Sequence, residues 1–400
     1  MPTDTLGRRL PLLTLIAANA VSLFGNTIAA VAIPWFVLVT TGSAARAGVA
    51  AFFTTVPLAL GALFGGTVAD RVGPRIASVV GDLLSAAAVA GIPVLHAAGV
   101  LEFWHILVLG FLGALFDAPA QAAREALIPE LAERAGTPLD RANALWTSTE
   151  HAGYILGAPA AGILIAAFGA PTALWVDAAS FVAAAIAVAA VVPHLRRERP
   201  RTPYLADLVD GVRFIARNRT LRTFLVFATI GNFLIAPVGF VILPVYAKEV
   251  FDSASSLAAM TAAYGAGGLA GAVLLALVGG RVRRRAWYVA GWVVYPLASA
   301  ALIPLPQLSV ALPVLFAIGV VAGGIGPIEQ SVRQERTPTE LRARVFATFM
   351  ASLAAVVPLS VLAAGLAVEL AGLRSVVVVI AAGNALLAVV VITSRAVREL

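Results

Sequence analysis

Five acidic side chains interrupt the long apolar stretches of this sequence: Asp82, Asp117, Glu150, Asp177 and Glu329, with His151 next to Glu150. An ionised carboxyl far from water is costly, so such a group faces a cavity or a partner, and the chemistry open to it is to take up and release a proton. Glu150 lies about eight residues into its apolar run, roughly 12 Å along a helix. Gly153 and Gly157 follow at i+3 and i+7. One helical face therefore carries an acid and two residues small enough for another helix to come close. That face can line a central cavity, which makes Glu150 the leading candidate for a proton-carrying site, with Asp117 and Glu329 as further candidates. The competing reading is a buried acid hydrogen-bonded to His151 or to a neighbouring helix. Glu329 precedes Arg333 by four residues, the spacing of an intrahelical ion pair.

Other chemistries find no residues. The 400-residue chain has no cysteine, which excludes disulfides, thiol catalysis and thiolate metal sites. No nucleophile–base pair and no metal-ligand spacing stands out, so no catalytic residue, metal or cofactor is expected, and the chain does not read as an enzyme. The run Ala266-Gly267-Gly268-Leu269-Ala270-Gly271 lacks the strand, turn and lysine of a phosphate loop and reads as helix packing. With no ATP site, energy is expected to come from an ion gradient.

The elements that must position these residues are membrane spans. Apolar residues make up 60% of the chain and charged residues 12%, against about a quarter charged in soluble domains. A span needs roughly 20 apolar residues. Six are read at 11–40, 45–69, 75–98, 104–126, 142–168 and 171–193, and six more at 221–247, 256–280, 286–305, 309–332, 343–369 and 373–394. Arg8-Arg9 and Ala18-Asn19-Ala20 imitate a signal peptide, but the apolar run continues to about Thr40, so an uncleaved first span is expected.

Of the 28 lysines and arginines, 25 fall on one side of this arrangement; Arg46, Lys248 and Arg374 fall on the other. The bias puts both termini in the cytoplasm, and it assigns the net charge of +7 to the membrane rather than to nucleic acid. The expected organisation is a six-helix bundle over 1–193, a cytoplasmic linker over 194–220 and a second bundle over 221–400. In the linker, Leu205, Leu208, Val209, Val212 and Ile215 recur at helical spacing, which suits a helix on the inner membrane surface; a solvated tether is the alternative.

Repeats tie the halves together. Gly25-Asn26 recurs as Gly231-Asn232, and Thr137-Pro138-x-Asp140 as Thr337-Pro338-x-Glu340, at offsets of about 200 residues. Between the second and third spans lies Gly66-Thr67-Val68-Ala69-Asp70-Arg71-Val72-Gly73-Pro74-Arg75. Gly73 can take the positive φ of a tight turn and Pro74 suits a first helical turn.

With these residues the chain resembles the major facilitator superfamily of secondary transporters along nearly its whole length. Gly66, Asp70, Arg71, Gly73 and Arg75 fill the superfamily's signature G-x-x-x-D-R-x-G-x-[RK], with Pro74 where a basic residue is usual. Gly153, Gly157, Pro159 and Gly162 in the fifth span are similar to the exporter-associated motif G-x-x-x-G-P-x-x-G-G, with the proline displaced by one and Ala161 replacing a glycine. Thr41-Gly42-Ser43 and Ala142-Asn143-Ala144-Leu145 resemble the macrolide-efflux and siderophore-exporter branch.

The resemblance implies an all-α fold of twelve transmembrane helices in two pseudo-symmetric bundles. It further implies a multi-pass, monomeric protein of the bacterial inner membrane that exchanges protons for amphipathic small molecules by alternating access. Its partners would be a small-molecule substrate, protons and membrane lipids. A dedicated metabolite or siderophore exporter, or a receptor of the same fold without transport, are the alternatives. By the same resemblance, Gly66, Asp70, Arg71, Gly73 and Arg75 would form with Asp117 a conformational lock. Asn26, Asn232, Glu150 and His151 would line the substrate cavity, although interhelical hydrogen bonding accounts equally for the two asparagines. Asp82 and Asp177, on peripheral spans, would be structural. Arg124 is placed at the cytoplasmic edge of the fourth span, leaving the family's mid-membrane arginine without a counterpart.

Overall fold

The computed structural model describes the backbone of residues 4–194, 204–278, 284–338 and 341–398; within them the side chains of 4–6, 58, 59, 62–71, 140, 144, 150, 151, 154, 155, 204–208, 276, 278 and 343 are not among the described residues. No strand occurs among the described residues. The helices are α1 (Asp4–Thr41), α2 (Ala44–Val72), α3 (Pro74–Ala97), α4 (Phe103–Arg134), α5 (Leu139–Phe168) and α6 (Ala170–Val191). After these come α7 (Tyr204–Arg217), α8 (Arg219–Pro237), a π-helical turn (Val238–Ile242), α9 (Leu243–Phe251), α10 (Ala254–Val278) and α11 (Arg284–Ala301). The last are α12 (Leu308–Glu335), α13 (Arg342–Ala371), α14 (Leu373–Thr393) and α15 (Arg395–Arg398).

Among the described residues nine stretches are long and apolar enough to cross a membrane, with α8, the π turn and α9 counting as one stretch, Arg219–Phe251. Helices α2, α5 and α11 complete the pattern of six and six around α7. Long apolar side chains project outward, Leu370 at 87% exposure and Leu277 at 72%, as expected where hydrocarbon replaces water. The turn before α3 forms as its residues require: Gly73 takes φ 88° and Pro74 opens the helix.

The chain divides into two compact units, Met1–Val37 with Ala50–Arg201, and Leu38–Val49 with Thr202–Leu400. In the first, α3 packs between α4 and α6. Gly81 allows this: a Cβ there would lie 2.7 Å from the Phe116 carbonyl of α4. Ser85 Oγ donates to the Gly113 carbonyl at 2.9 Å. Leu12, Leu15, Leu127, Leu131, Trp146 and Val188 close an apolar core below.

In the second unit, α10 and α12 meet backbone to backbone. A Cβ on Gly267, Gly271, Gly319 or Gly323 would come within 2.0–2.1 Å of a carbonyl oxygen of the opposite helix. The glycine run of α10 is therefore helix packing. An aromatic core of Phe224, Phe227, Tyr288, Trp292 and Phe349 fills the space beside it. The stretch Leu38–Val49 joins this unit through Gly48, whose added Cβ would lie 2.8 Å from Gly365 Cα, and through Glu369, which accepts from Ser43 Oγ at 3.1 Å and Ala45 N–H at 3.2 Å.

The linker stripe forms a helix, α7, but the stripe divides. Ile215 is buried in the aromatic core while Val209 and Val212 are about half exposed, 47% and 49%. Gly211 abuts the Arg344 carbonyl of α13, and Asp210 accepts from Arg344 Nη1 at 2.9 Å. One side of α7 thus docks on protein and the other is left for the membrane surface.

Candidate functional site

A polar stripe runs along α1. Asn19, Ser22 and Asn26 recur at i, i+3 and i+7, the spacing of one helical face. Arg124 of α4 reaches this stripe from the other side. Its Nε donates to Asn19 Oδ1 at 3.2 Å and its Nη2 to Ser22 Oγ at 3.3 Å. Its Nη1 sits 2.7 and 2.8 Å from the two carboxylate oxygens of Asp82 on α3. Arg124 is 1% exposed and Asp82 0%, so this is a fully desolvated ion pair.

Seven residues earlier on the same face of α4, Asp117 accepts from Asn26 Nδ2 at 2.9 Å, and its other oxygen stands 3.6 Å from Arg124 Nη2. Asp117 is therefore held more loosely than Asp82, and by a half-buried asparagine. Asp177 of α6 completes the cluster. It is fully buried, and among the described residues neither of its carboxylate oxygens has a hydrogen-bond partner. Three acids and one base thus share one buried site, whose formal charge is −2 when every group is ionised. Taking up protons would bring such a site towards neutrality.

The expected site is corrected in several places. Arg124 is not at an edge: α4 continues ten residues beyond it to Arg134, about 15 Å of helix. The apolar run ends at Arg124, but the helix does not. Asp82 is the ion-pair partner of Arg124, and Asp177 lies against Gly25 of α1. Asp117 does not meet Arg75, which binds His194 and the Ala189 carbonyl at the end of α6. The side chains of Asp70 and Arg71 lie outside the described residues, as do those of Glu150 and His151, so the lock and the leading proton site are not visible at those positions. Gly66 falls in the same undescribed stretch. Asn19 and Ser22 were missed because Ala18-Asn19-Ala20 invites a cleavage-site reading; the i, i+3, i+7 stripe was the available signal.

The exporter-type stretch of α5 acts on the network from behind. Gly153 faces Leu23, where a Cβ would sit 3.2 Å from Cγ, and Gly157 faces Thr27, where it would sit 2.6 Å from Cβ. These glycines let α5 press on the turn of α1 that carries Asn26. Gly162 is buried and Pro159 partly so, both within α5.

The second unit holds Asn232 and Glu329. Asn232 donates to the Ala228 carbonyl of its own helix at 2.8 Å, so it makes no pair resembling Asn26–Asp117. Glu329 accepts from Tyr288 Oη at 2.9 Å instead of pairing with Arg333, whose guanidinium stacks 4.8 Å over the Phe349 ring. At the π turn, Val238, Ile242, Tyr246, Tyr295, Ser299 and Leu302 are among the residues that line an apolar cavity.

The description "Major Facilitator Superfamily" belongs to the family model that matches residues 15–259 and 240–399. The sequence is 34% identical over 405 residues to the multidrug efflux pump Tap of Mycolicibacterium fortuitum, covering 98% of each chain. It is 25% identical over 284 residues to the macrolide efflux protein A of Streptococcus pyogenes, covering 69% of this chain and 68% of that one. Among solved structures, the fold is similar to the nucleoside transporter NupG with a TM-score of 0.75 at 13% identity, over 96% of this chain and 98% of that one.

Proposed function

The chain belongs to the Major Facilitator Superfamily, and from that premise we propose that it is a proton-coupled exporter of amphipathic small molecules. It works by alternating access, without covalent chemistry, as a monomer in a bacterial inner membrane with both termini cytoplasmic. The similarity to a multidrug efflux pump over 98% of the chain, and to a macrolide efflux protein over 69% of it, supports the export of drug-like compounds. The orientation rests on the basic residues: with Arg124 withdrawn into the network, 24 of the 25 still fall on one side.

The observation that carries proton coupling is the three-acid, one-base network of α1, α3, α4 and α6. Asp82 is committed to Arg124 by two short contacts. Asp117 is the member whose partners can change: one oxygen rests on Asn26, the other at the margin of Arg124. A proton arriving at Asp117 releases the pull on Arg124 and on α1 together. Uptake and a shift of helix contacts are then one event, which is what coupling requires.

The test is transport by the purified chain in liposomes under an imposed pH gradient, with a panel of cationic, neutral and anionic lipophilic compounds. Gradient-driven movement in wild type, lost in Asp117→Asn, is the expected result, with Glu150→Gln as the comparison. Loss in Glu150→Gln alone would move the coupling site to α5. Movement indifferent to the gradient would reject proton coupling.

A further inference from the structure

Asp177 is counted in the network, but the coupling step at Asp117 gives it no task of its own. It stands on α6, is fully buried, and offers two oxygens to which no described residue donates a hydrogen bond. Its neighbour Ser180 donates to the Asp177 main-chain carbonyl at 2.7 Å. The seat for the side chain is built by Gly25 of α1. A Cβ on Gly25 would lie 2.6 Å from Asp177 Oδ1 and 2.0 Å from Ser180 Oγ, so only glycine admits α6 here. Gly25 immediately precedes Asn26, the residue that holds Asp117, so both carboxyls rest on the same turn of α1.

We propose that Asp177 is a second proton-carrying carboxyl of the network, holding a proton behind Gly25 and exchanging it with Asp117. This deepens the antiport reading and rests on it. The exchange is balanced within the pair: the O–H bond on Asp177 breaks, an O–H bond on Asp117 forms, and the negative charge passes the other way. Among the described residues the other ionisable groups of the site come from two helices. Asp82 comes from α3 and Asp117 and Arg124 from α4, while α1 contributes Asn19, Ser22 and Asn26, which carry no charge. The side chains of Glu150 and His151 on α5 are outside those described. With Arg124 committed to Asp82, no other cation among the described residues reaches Asp177, and a proton is the smallest species that fits against a bare glycine.

Infrared spectroscopy of the purified full-length protein reads this directly, since a protonated carboxyl has a C=O band that a carboxylate lacks. The expected result is a deuterium-sensitive band in wild type, lost in Asp177→Asn and moved in Asp177→Glu. Gly25→Ala, which crowds Oδ1, should shift the band. It serves as the deciding variant if Asp177→Asn does not fold: a shifted band supports the proposal, and an unmoved one overturns it. A band that persists unchanged in folded Asp177→Asn also overturns it. Gradient-driven efflux of ethidium should be lost in Asp177→Asn while ethidium exchange without a gradient continues. If wild type shows the band yet moves no compound of the panel in response to a pH gradient, the antiport reading falls and the proton on Asp177 stands.

Discussion

The two units hold the same positions and fill them with different chemistry. In the first, Asp82 and Arg124 form an ion pair 42 residues apart in sequence; in the second, Tyr288 and Glu329 form a hydrogen bond 41 residues apart. Arg124 and Glu329 each stand 21 residues after the first residue of their helices, Phe103 of α4 and Leu308 of α12. The polar stripe Asn19, Ser22 and Asn26 of α1 recurs 206 residues later as Leu225, Ala228 and Asn232. The α5–α6 and α13–α14 turns are alike, at Gly169 with φ 84° and Gly372 with φ 81°. A duplicated scaffold has thus kept its helix positions and turns while one half kept charge and the other took aromatic and glycine packing. A buried ion cluster seldom stabilises more than well-packed apolar residues would. Its presence, among the described residues, in one half alone therefore argues for work other than folding.

The contrast breaks most visibly at Arg124. Removing it leaves Asp82 buried without a partner, and breaking such a pair costs about 3–5 kcal/mol. Arg124→Gln should lower the melting temperature in detergent more than any other single change named here, and Asp82→Asn added to it should recover part of the loss. A loss no larger than that of a surface pair would mean the network is hydrated.

The packing half has its own weak point. Gly271→Ala places a Cβ 2.0 Å from the Val320 carbonyl and forces α10 and α12 apart. Overpacking of this kind costs about 1–3 kcal/mol, read as a lower melting temperature with the gradient dependence of transport unaltered. If coupling changed instead, the division of labour between the halves would be wrong.

Tyr288→Phe sharpens the comparison between the two matched pairs. It deletes one hydrogen bond to a carboxyl, worth about 1–3 kcal/mol, and should leave gradient-driven transport intact. Failure of transport with normal stability would make Glu329 a coupling residue after all. The smallest effect belongs to Asp210→Asn on α7, whose partner Arg344 is 33% exposed. A pair open to solvent contributes about 0–1 kcal/mol and is screened by salt, so the variant should melt within that margin of wild type in high salt.

By itself the sequence determined the all-helical fold, the turn at Gly73 and the glycine packing of α10. All of these follow from local rules: apolar run length, positive φ at glycine, and 3.6-residue periodicity. It also determined that acids lie inside spans, and which ones. What only the tertiary structure decided was who meets whom. Arg124 looked marginal because the apolar run stops there, yet α4 goes on and carries it inward to Asp82. Asp177 looked peripheral because nothing in its own helix marks it, and its importance comes from a glycine 152 positions earlier on α1. Glu329 and Arg333 have the spacing of a pair, but Tyr288 and Phe349 offer each a partner from another helix. Spacing along one helix states which contacts are possible; in a medium without water, the partners brought in by neighbouring helices choose among them.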